Sequence, residues 1–148
     1  MKAITTYSLL LLILFIQFSS AEEKFLSLKN NKVNVRYGPS KNHAIKYIYW
    51  KKNLPIKLID KKDNWRRIVD LKNNSGWIHR SQLISSNSII LLEDKILFKK
   101  PSNSSKPIAR LEKGRLLIIK KCEDSWCNIT TDSYIGWIKI KNVWGSTK

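Results

Sequence analysis

The chain has 148 residues, with 28 Lys and Arg against 11 Asp and Glu, which gives a formal net charge of +17. This length allows one ordinary domain or two very small ones. Because carboxylates are few and mostly lie next to Lys, a paired-carboxylate catalytic site is hard to build, and the sequence has no nucleophile elbow, HExxH motif or phosphate-binding glycine loop.

The positive charge is spread along the whole chain and does not form one block. Dispersed Lys is typical of a solvated surface, and a sequence rich in Lys, Ile and Asn also fits an AT-rich genome. The functional alternative is attraction to an anionic polymer or an anionic lipid surface. We do not expect nucleic acid as a partner, because the segment described next indicates export.

The first segment, residues 1–21, has the layout of a secretory signal peptide, with a Lys near the start, an apolar run at 9–18 and the small residues "SSA" before the expected cleavage site. The run is short for a bilayer of about 30 Å. We therefore expect a mature chain that begins at Glu22 and is not an integral membrane protein. The alternative is an uncleaved membrane anchor. Export would be to the periplasm or the cell surface, and secretion toward a host stays open.

The next segments predict short strands. "VNVRYGPS" at 33–40 predicts a first strand with Val33 and Val35 facing the core, followed by a turn in which Gly38 adopts an unusual dihedral angle. Alternating apolar residues at 54–58 predict a half-buried strand, and polar turns precede Trp65 and the "GWI" segment. Because no long helical period follows the leader, about five strands in about 60 residues indicate a small β-barrel.

The whole unit occurs twice. Residues 50–68 align without a gap on residues 111–129 at an offset of 61, and "GWI" recurs at an offset of 60. The segment "VNVRYGPS" has a less similar counterpart in the second copy, "ILFKKPSN" at 96–103, in which we align Lys100 with Tyr37. The mature chain is therefore predicted to hold two small barrels, and two that pack together would help each other's stability.

The motifs of the first copy, "VNVRYGPS", "DNWRRI" and "SGWIHRSQLI", resemble the bacterial SH3-like (SH3b) domain family. The second copy, with "CEDSWCNI" and "YIGWIKIKNVWG", is similar to the second half of the exported tandem-SH3 proteins of alphaproteobacteria. The resemblance implies an all-β chain with SH3-like barrels at 24–85 and 87–145. The second copy lacks the Gly before its Pro, so its opening loop is expected to have lost or changed any binding role.

The end of the eukaryotic SH3 fold commonly carries a Pro where this chain has His79. Recognition of Pro-rich peptides is therefore not expected. We expect His79 to be a surface side chain and not a proton shuttle.

The two cysteines, Cys122 and Cys127, bracket a predicted turn between two strands. Residues that face each other across a hairpin are close enough for a disulfide, and export favours one. Unpaired thiols and redox chemistry are the less favoured alternatives. A zinc site would need further ligands, and His43 and His79 are both distant in sequence, so we expect neither a metal nor a cofactor.

The tryptophans are the best candidates for ligand contacts. Strict alternation places Trp65, Trp77, Trp126 and Trp137 opposite the apolar residues of their strands, although a bulge would reverse this. Core packing is favoured for Trp77 and Trp137, and neither interpretation is favoured for Trp65 and Trp126. Our candidate ligand-binding residues are Arg36, Tyr37, Trp65, Arg67 and Trp126.

The sequence thus predicts an exported, non-enzymatic binding module. The preferred ligand is peptidoglycan or its peptide stems. Lys and Arg would contact the carboxylates of the ligand, and aromatic side chains would pack against the rest of it. The alternative is a protein–protein adaptor for another envelope protein. No residues remain for a separate catalytic domain of the kind that SH3-like domains often accompany in wall hydrolases.

Overall fold

The computed structural model describes residues 24–147, so the predicted leader at 1–21 lies outside the described residues. The described part is all-β apart from one short 3-10 helix, and it forms two seven-stranded sheets, one for each copy of the repeat. The predicted all-β class is confirmed. Within residues 24–147 no helix has the length and apolar character needed to cross a membrane.

The first sheet has the strand order β3-β2-β6-β5-β4-β1-β7, and each pair of neighbouring strands in it is antiparallel. Its strands are Phe25–Leu28 (β1), Val33–Arg36 (β2), Ile45–Tyr49 (β3), Pro55–Lys62 (β4), Trp65–Val69 (β5), Ser75–His79 (β6) and Leu83–Ser85 (β7), with the 3-10 helix Arg80–Gln82 before β7.

The second sheet repeats this order as β10-β9-β13-β12-β11-β8-β14. Its strands are Ser88–Leu91 (β8), Lys95–Phe98 (β9), Pro107–Leu111 (β10), Leu116–Glu123 (β11), Trp126–Thr130 (β12), Ile135–Lys139 (β13) and Val143–Gly145 (β14). The offset between equivalent strands falls from 63 at β1 and β8 to 60 at β7 and β14, so the missing residues lie in the loops.

One expectation needs correction. "VNVR" forms β2 and not the first strand, because β1 precedes it and pairs with β4 and β7 at the other side of the sheet. Val33 and Val35 do face the core, at 1% and 0% exposure. Period-2 burial therefore held in this strand, whereas the short apolar segment at β1 was not recognised as a strand.

The repeat extends to the irregularities of the sheets. A register shift in β4 at Ile59 recurs in β11 at Lys120, and a shift in β3 at Lys46 recurs in β10 at Ile108. An unpaired residue at a bulge increases twist and bends the strand. Equivalent bulges therefore give both barrels the same curvature.

Two kinds of tight turn, each present in both barrels, explain why particular residues recur. Asp63 and Asp124 lie in the two-residue turns before β5 and β12, with φ of 49° and 51°. Asn53 and Gly114 precede β4 and β11 with φ of 62° and 85°. Left-handed backbone favours Gly, Asn and Asp, so these matches reflect turn geometry and not function.

Each sheet wraps its own apolar core. The first core is formed by Leu28, Val33, Val35, Ile56, Ile68 and Ile78, and the second by Ile89, Leu91, Leu97, Leu111, Leu117, Cys127, Ile129 and Ile138. The Cys122–Cys127 disulfide is confirmed: the two residues face each other across the β11–β12 hairpin with Cα atoms 4.1 Å apart. Lys61 and Arg66 form the equivalent pair of the first barrel, which is not crosslinked.

The barrels contact each other through β14 and the segment around Ser86. The Trp144 indole Nε1 donates a hydrogen bond to the Pro55 carbonyl at 3.0 Å, and its ring meets Phe25 edge to face at 5.1 Å. Nearby, the buried hydroxyls of Ser27, Ser86 and Ser88 form one hydrogen-bonded cluster. Aromatic packing and satisfied polar groups thus join the two barrels.

Candidate binding face of the first barrel

The outer surface of β2, β6 and β5 carries the polar and aromatic residues that alternate with the first core. Trp65 pairs across strands with His79, and their rings meet edge to face at 5.3 Å. Trp77 lies between Arg67 of β5 and Arg36 of β2. Cross-strand neighbours on one face lie within side-chain contact distance, so this face brings two Trp residues and two Arg residues together.

A cleft of about 400 Å³, which we call the Trp65 cleft, opens on this face. Trp65 is only 9% exposed, and its neighbour His79 is held by a 2.8 Å contact between Nδ1 and the Ser81 hydroxyl. The lining comprises Lys32, Asn34, Arg36, Lys41, Trp65, His79, Ser81 and Gln82.

A second cleft of about 320 Å³, the Tyr37 cleft, lies on the other side of Arg36. The Lys46 ammonium donates to the Ser75 carbonyl at 2.9 Å and lies 5.6 Å from the centre of the Tyr37 ring, which is 64% exposed. The lining comprises Arg36, Tyr37, Lys46, Arg67, Ser75, Gly76 and Trp77.

Arg36 separates the clefts and is fixed by the loop that follows it. Its Nη1 donates to the His43 carbonyl at 2.7 Å. The His43 ring in turn packs so closely over Gly38 that a Cβ at Gly38 would collide with it. The φ of Gly38 is not in the left-handed region. The expectation of an unusual dihedral angle at Gly38 is therefore wrong. Gly38 is needed for the close approach of His43.

The charge of both clefts is of one sign. Lys32, Arg36 and Lys41 line the Trp65 cleft, and no carboxylate is among the described residues that line either cleft. Among residues 24–147, the buried side-chain polar atoms without a hydrogen-bond partner are Asn34 Oδ1 and Ser75 Oγ, one at each cleft. A buried polar atom without a hydrogen-bond partner carries an energetic cost.

The second barrel does not repeat this face. Phe98 and not Lys99 occupies the position of Arg36, since each pairs with the Trp of its "GWI" strand. Our alignment of Lys100 with Tyr37 is therefore wrong by one residue, and Lys99 is the counterpart. The Phe98 ring packs edge to face on Trp126 at 5.6 Å, so an aromatic pair replaces the guanidinium.

The structure brings four of the five candidate residues to one face: Arg36, Tyr37, Trp65 and Arg67. Trp126 lies on the other barrel. Trp77 is half-buried and lines the Tyr37 cleft, so the sequence reasoning missed it when it favoured core packing. Lys41 and Lys46 were also missed, and the pairing of β2 with β3, which the sequence did not reveal, is what places Lys46 there.

The described residues contain no group of three or more His, Cys, Asp or Glu side chains arranged to hold a metal ion. The chemistry that the two clefts offer is therefore that of cations, aromatic rings and neutral hydrogen-bonding groups. Such a set recognises an anionic or carboxylate-bearing ligand with some apolar surface.

Comparison with known proteins identifies one family for both copies of the repeat. The model of the bacterial SH3 domain matches residues 29–84 and 94–145. Among solved structures, the chain is similar to NlpC2 and NlpC1 from Trichomonas vaginalis, each at 14% sequence identity, with TM-scores of 0.39 and 0.37. These alignments cover 84% of this chain but 48% and 46% of those chains, so it spans about half their length. No curated protein matches.

Proposed function

The chain belongs to the bacterial SH3 domain family, and from that premise we propose that it is an exported, non-enzymatic module that binds peptidoglycan through the peptide stems. The Cys122–Cys127 disulfide fits an oxidising compartment such as the periplasm or the cell surface. The proposed role is recognition and requires no cofactor.

The observation that carries the proposal is the lining of the Trp65 cleft. Peptide stems present carboxylates, amide N–H donors and small apolar side chains. Three cations without an opposing carboxylate suit the carboxylates. The exposed Tyr37 ring provides apolar contact area, and the edge of Trp65 that remains exposed forms part of the cleft wall. We assign the ligand contacts to Arg36, Tyr37, Trp65 and Arg67.

Co-sedimentation of the mature chain from Glu22 with purified sacculi tests this proposal. We expect saturable binding that Tyr37→Ala and Trp65→Ala each weaken by about tenfold, the usual effect of removing a central aromatic contact. Trp126→Ala, at the equivalent strand position of the second barrel, is the matched control and should bind normally. Thermal unfolding of each variant verifies that it is folded.

Two results would contradict the proposal. Binding that disappears at moderate salt and is insensitive to Trp65→Ala would show adsorption by charge alone. Absence of binding to sacculi would exclude peptidoglycan as the ligand.

A second candidate function, a protein–protein adaptor, is favoured by the second barrel. Where the first barrel has Lys46 and Ser75, the second has Ile108 and Ile135, which are 40% and 65% exposed. Neighbouring exposed apolar side chains on a rigid sheet are typical of a protein contact. Crosslinking in intact cells should then capture one discrete envelope protein, and Ile135→Lys should abolish that product.

A further inference from the structure

The loop between β3 and β4 presents an aromatic side chain that the fold does not use. Trp50 follows β3 directly and is 68% exposed, more than any other large apolar side chain in residues 24–147. Strand register places Glu112 at the equivalent position of the second barrel, whose loop is one residue shorter. The gapless alignment of residues 50–68 with 111–129, which pairs Trp50 with Leu111, is therefore wrong at this position. The repeat therefore shows that the barrel scaffold has no need of an aromatic residue here.

One cation lies against this ring, and two more follow it in the chain. The Lys32 ammonium lies 5.0 Å from the centre of the Trp50 ring, and the exposed Lys51 and Lys52 follow it. Arg115 of the second barrel lines the same cleft, of about 490 Å³, as these two lysines. Asp132 is the carboxylate in the described lining of that cleft, so positive charge predominates at the surface.

The loop is held in place by both barrels. Asn53 has a left-handed φ of 62°, and its amide donates to the Leu28 carbonyl at 2.9 Å. The Ser88 hydroxyl donates to the Asn53 carbonyl at 2.7 Å. Trp50 and the two lysines after it therefore project from an anchored turn, and little conformational freedom remains to be lost when they bind.

We propose that this loop is a docking surface for an anionic phospholipid bilayer. We call it the basic tip and define it as Lys32, Trp50, Lys51, Lys52 and Arg115. Trp prefers the headgroup region of a bilayer, where an amphipathic ring has both apolar and polar neighbours. Each Lys or Arg close to an anionic bilayer adds electrostatic attraction, and its aliphatic stem can lie along the apolar boundary. The exposed Trp50 ring thus suits the interfacial region of a bilayer, and the cations near it suit the anionic headgroups.

Co-sedimentation of the mature chain with vesicles tests the inference. The vesicles contain equal parts of phosphatidylcholine and phosphatidylglycerol, with pure phosphatidylcholine as the uncharged comparison. We expect binding to the anionic vesicles, weakened about tenfold or more by Trp50→Ala and by the double variant Lys51→Glu/Lys52→Glu. The vesicle-induced blue shift of tryptophan fluorescence should be present in the wild type and lost in Trp50→Phe.

The second barrel offers a matched control, because Lys99 and Lys100 are adjacent, exposed lysines outside the basic tip. Lys99→Glu/Lys100→Glu makes the same change in net charge and should retain vesicle binding within about twofold. Equal loss in both double variants would mean adsorption by overall charge and would overturn the inference, as would absence of binding to anionic vesicles.

Lys32 lines the Trp65 cleft and also contacts Trp50, so variants at Trp50 and Trp65, which the two surfaces do not share, distinguish lipid binding from peptidoglycan recognition. Trp50→Ala should leave co-sedimentation with sacculi unchanged, and Trp65→Ala should leave vesicle binding unchanged. If Trp50→Ala weakens binding to sacculi and not to vesicles, Trp50 extends the wall-binding face and the lipid assignment is wrong.

Discussion

Arg36 and Phe98 occupy the same register position in the two barrels, where each pairs with the Trp that follows the Gly of the "GWI" strand. Arg36 places a guanidinium between two clefts. Phe98 packs on Trp126 instead. The two copies therefore share one scaffold but present different chemistry on the same face.

The first prediction concerns this difference. Arg36→Gln keeps a hydrogen-bonding side chain but removes the charge, so binding to sacculi should weaken by about tenfold or more through loss of a charge-assisted contact. Arg110→Gln, which removes an exposed Arg paired with Asp94 on the second barrel, is the control and should bind normally. Titration by co-sedimentation measures both, and equal affinities for the two variants would argue against the clefts as the site.

The second prediction concerns the contact between the barrels. Trp144→Phe removes the hydrogen bond to the Pro55 carbonyl and should lower the free energy of unfolding by about 1 kcal/mol. Trp144→Ala also removes the contact with Phe25 and should cost about 2–4 kcal/mol. Urea unfolding measures the change, and Trp50→Ala, which deletes an exposed ring, should have almost no effect. A stability unchanged in Trp144→Ala would show that the barrels do not support each other.

The third prediction concerns the disulfide. Closing the short Cys122–Cys127 loop restricts the unfolded chain, and its loss should cost about 2 kcal/mol in the chain-entropy model. Thermal unfolding of the wild type should therefore shift to lower temperature on addition of a reductant, whereas Cys122→Ala/Cys127→Ala should be insensitive to it. Binding to sacculi should survive reduction, because the clefts lie on the other barrel. No shift in the wild type would mean that the crosslink is dispensable.

The fourth prediction concerns acid stability. Hydrogen bonds from Lys95 and then Asn142 lower the pKa of Glu93, and the backbone N–H of Lys113 and then Arg110 lower the pKa of Asp94. A depressed folded-state pKa stabilises the protein above the unfolded pKa of about 4, and this contribution is lost as the pH falls through the folded value. The unfolding temperature should therefore fall with pH below about 4, with a smaller decrease in Asp94→Asn.

The control for this prediction is Asp63→Asn, which makes the same charge change in a turn of the first barrel. The unfolding temperature of Asp63→Asn should fall with pH in nearly the same way as that of the wild type. The unfolding temperature of Asp94→Asn should differ more from the wild type. An identical acid decrease in all three proteins would show that these carboxylates do not set the acid limit.

The sequence by itself determined the repeat, the all-β class and part of the first core, because period-2 alternation and turn chemistry are local properties of the chain. Val33 and Val35 are buried as alternation requires. The C-x4-C spacing and the expected export predicted the disulfide, since a hairpin with a two-residue turn places Cys122 opposite Cys127, one pair beyond Glu123 and Trp126.

Only the tertiary structure decided which outer residues meet. Trp65 lies beside His79 through the register of the β5–β6 hairpin, and Arg36 lies beside Trp77 through pairing of β2 with β6, which are distant in sequence. The same pairing showed that Phe98 and not Lys99 replaces Arg36. The packing of one barrel on the other placed Arg115, Lys51 and Lys52 along the same cleft. Register between strands depends on loop lengths and on packing of the whole sheet, and a linear pattern contains neither.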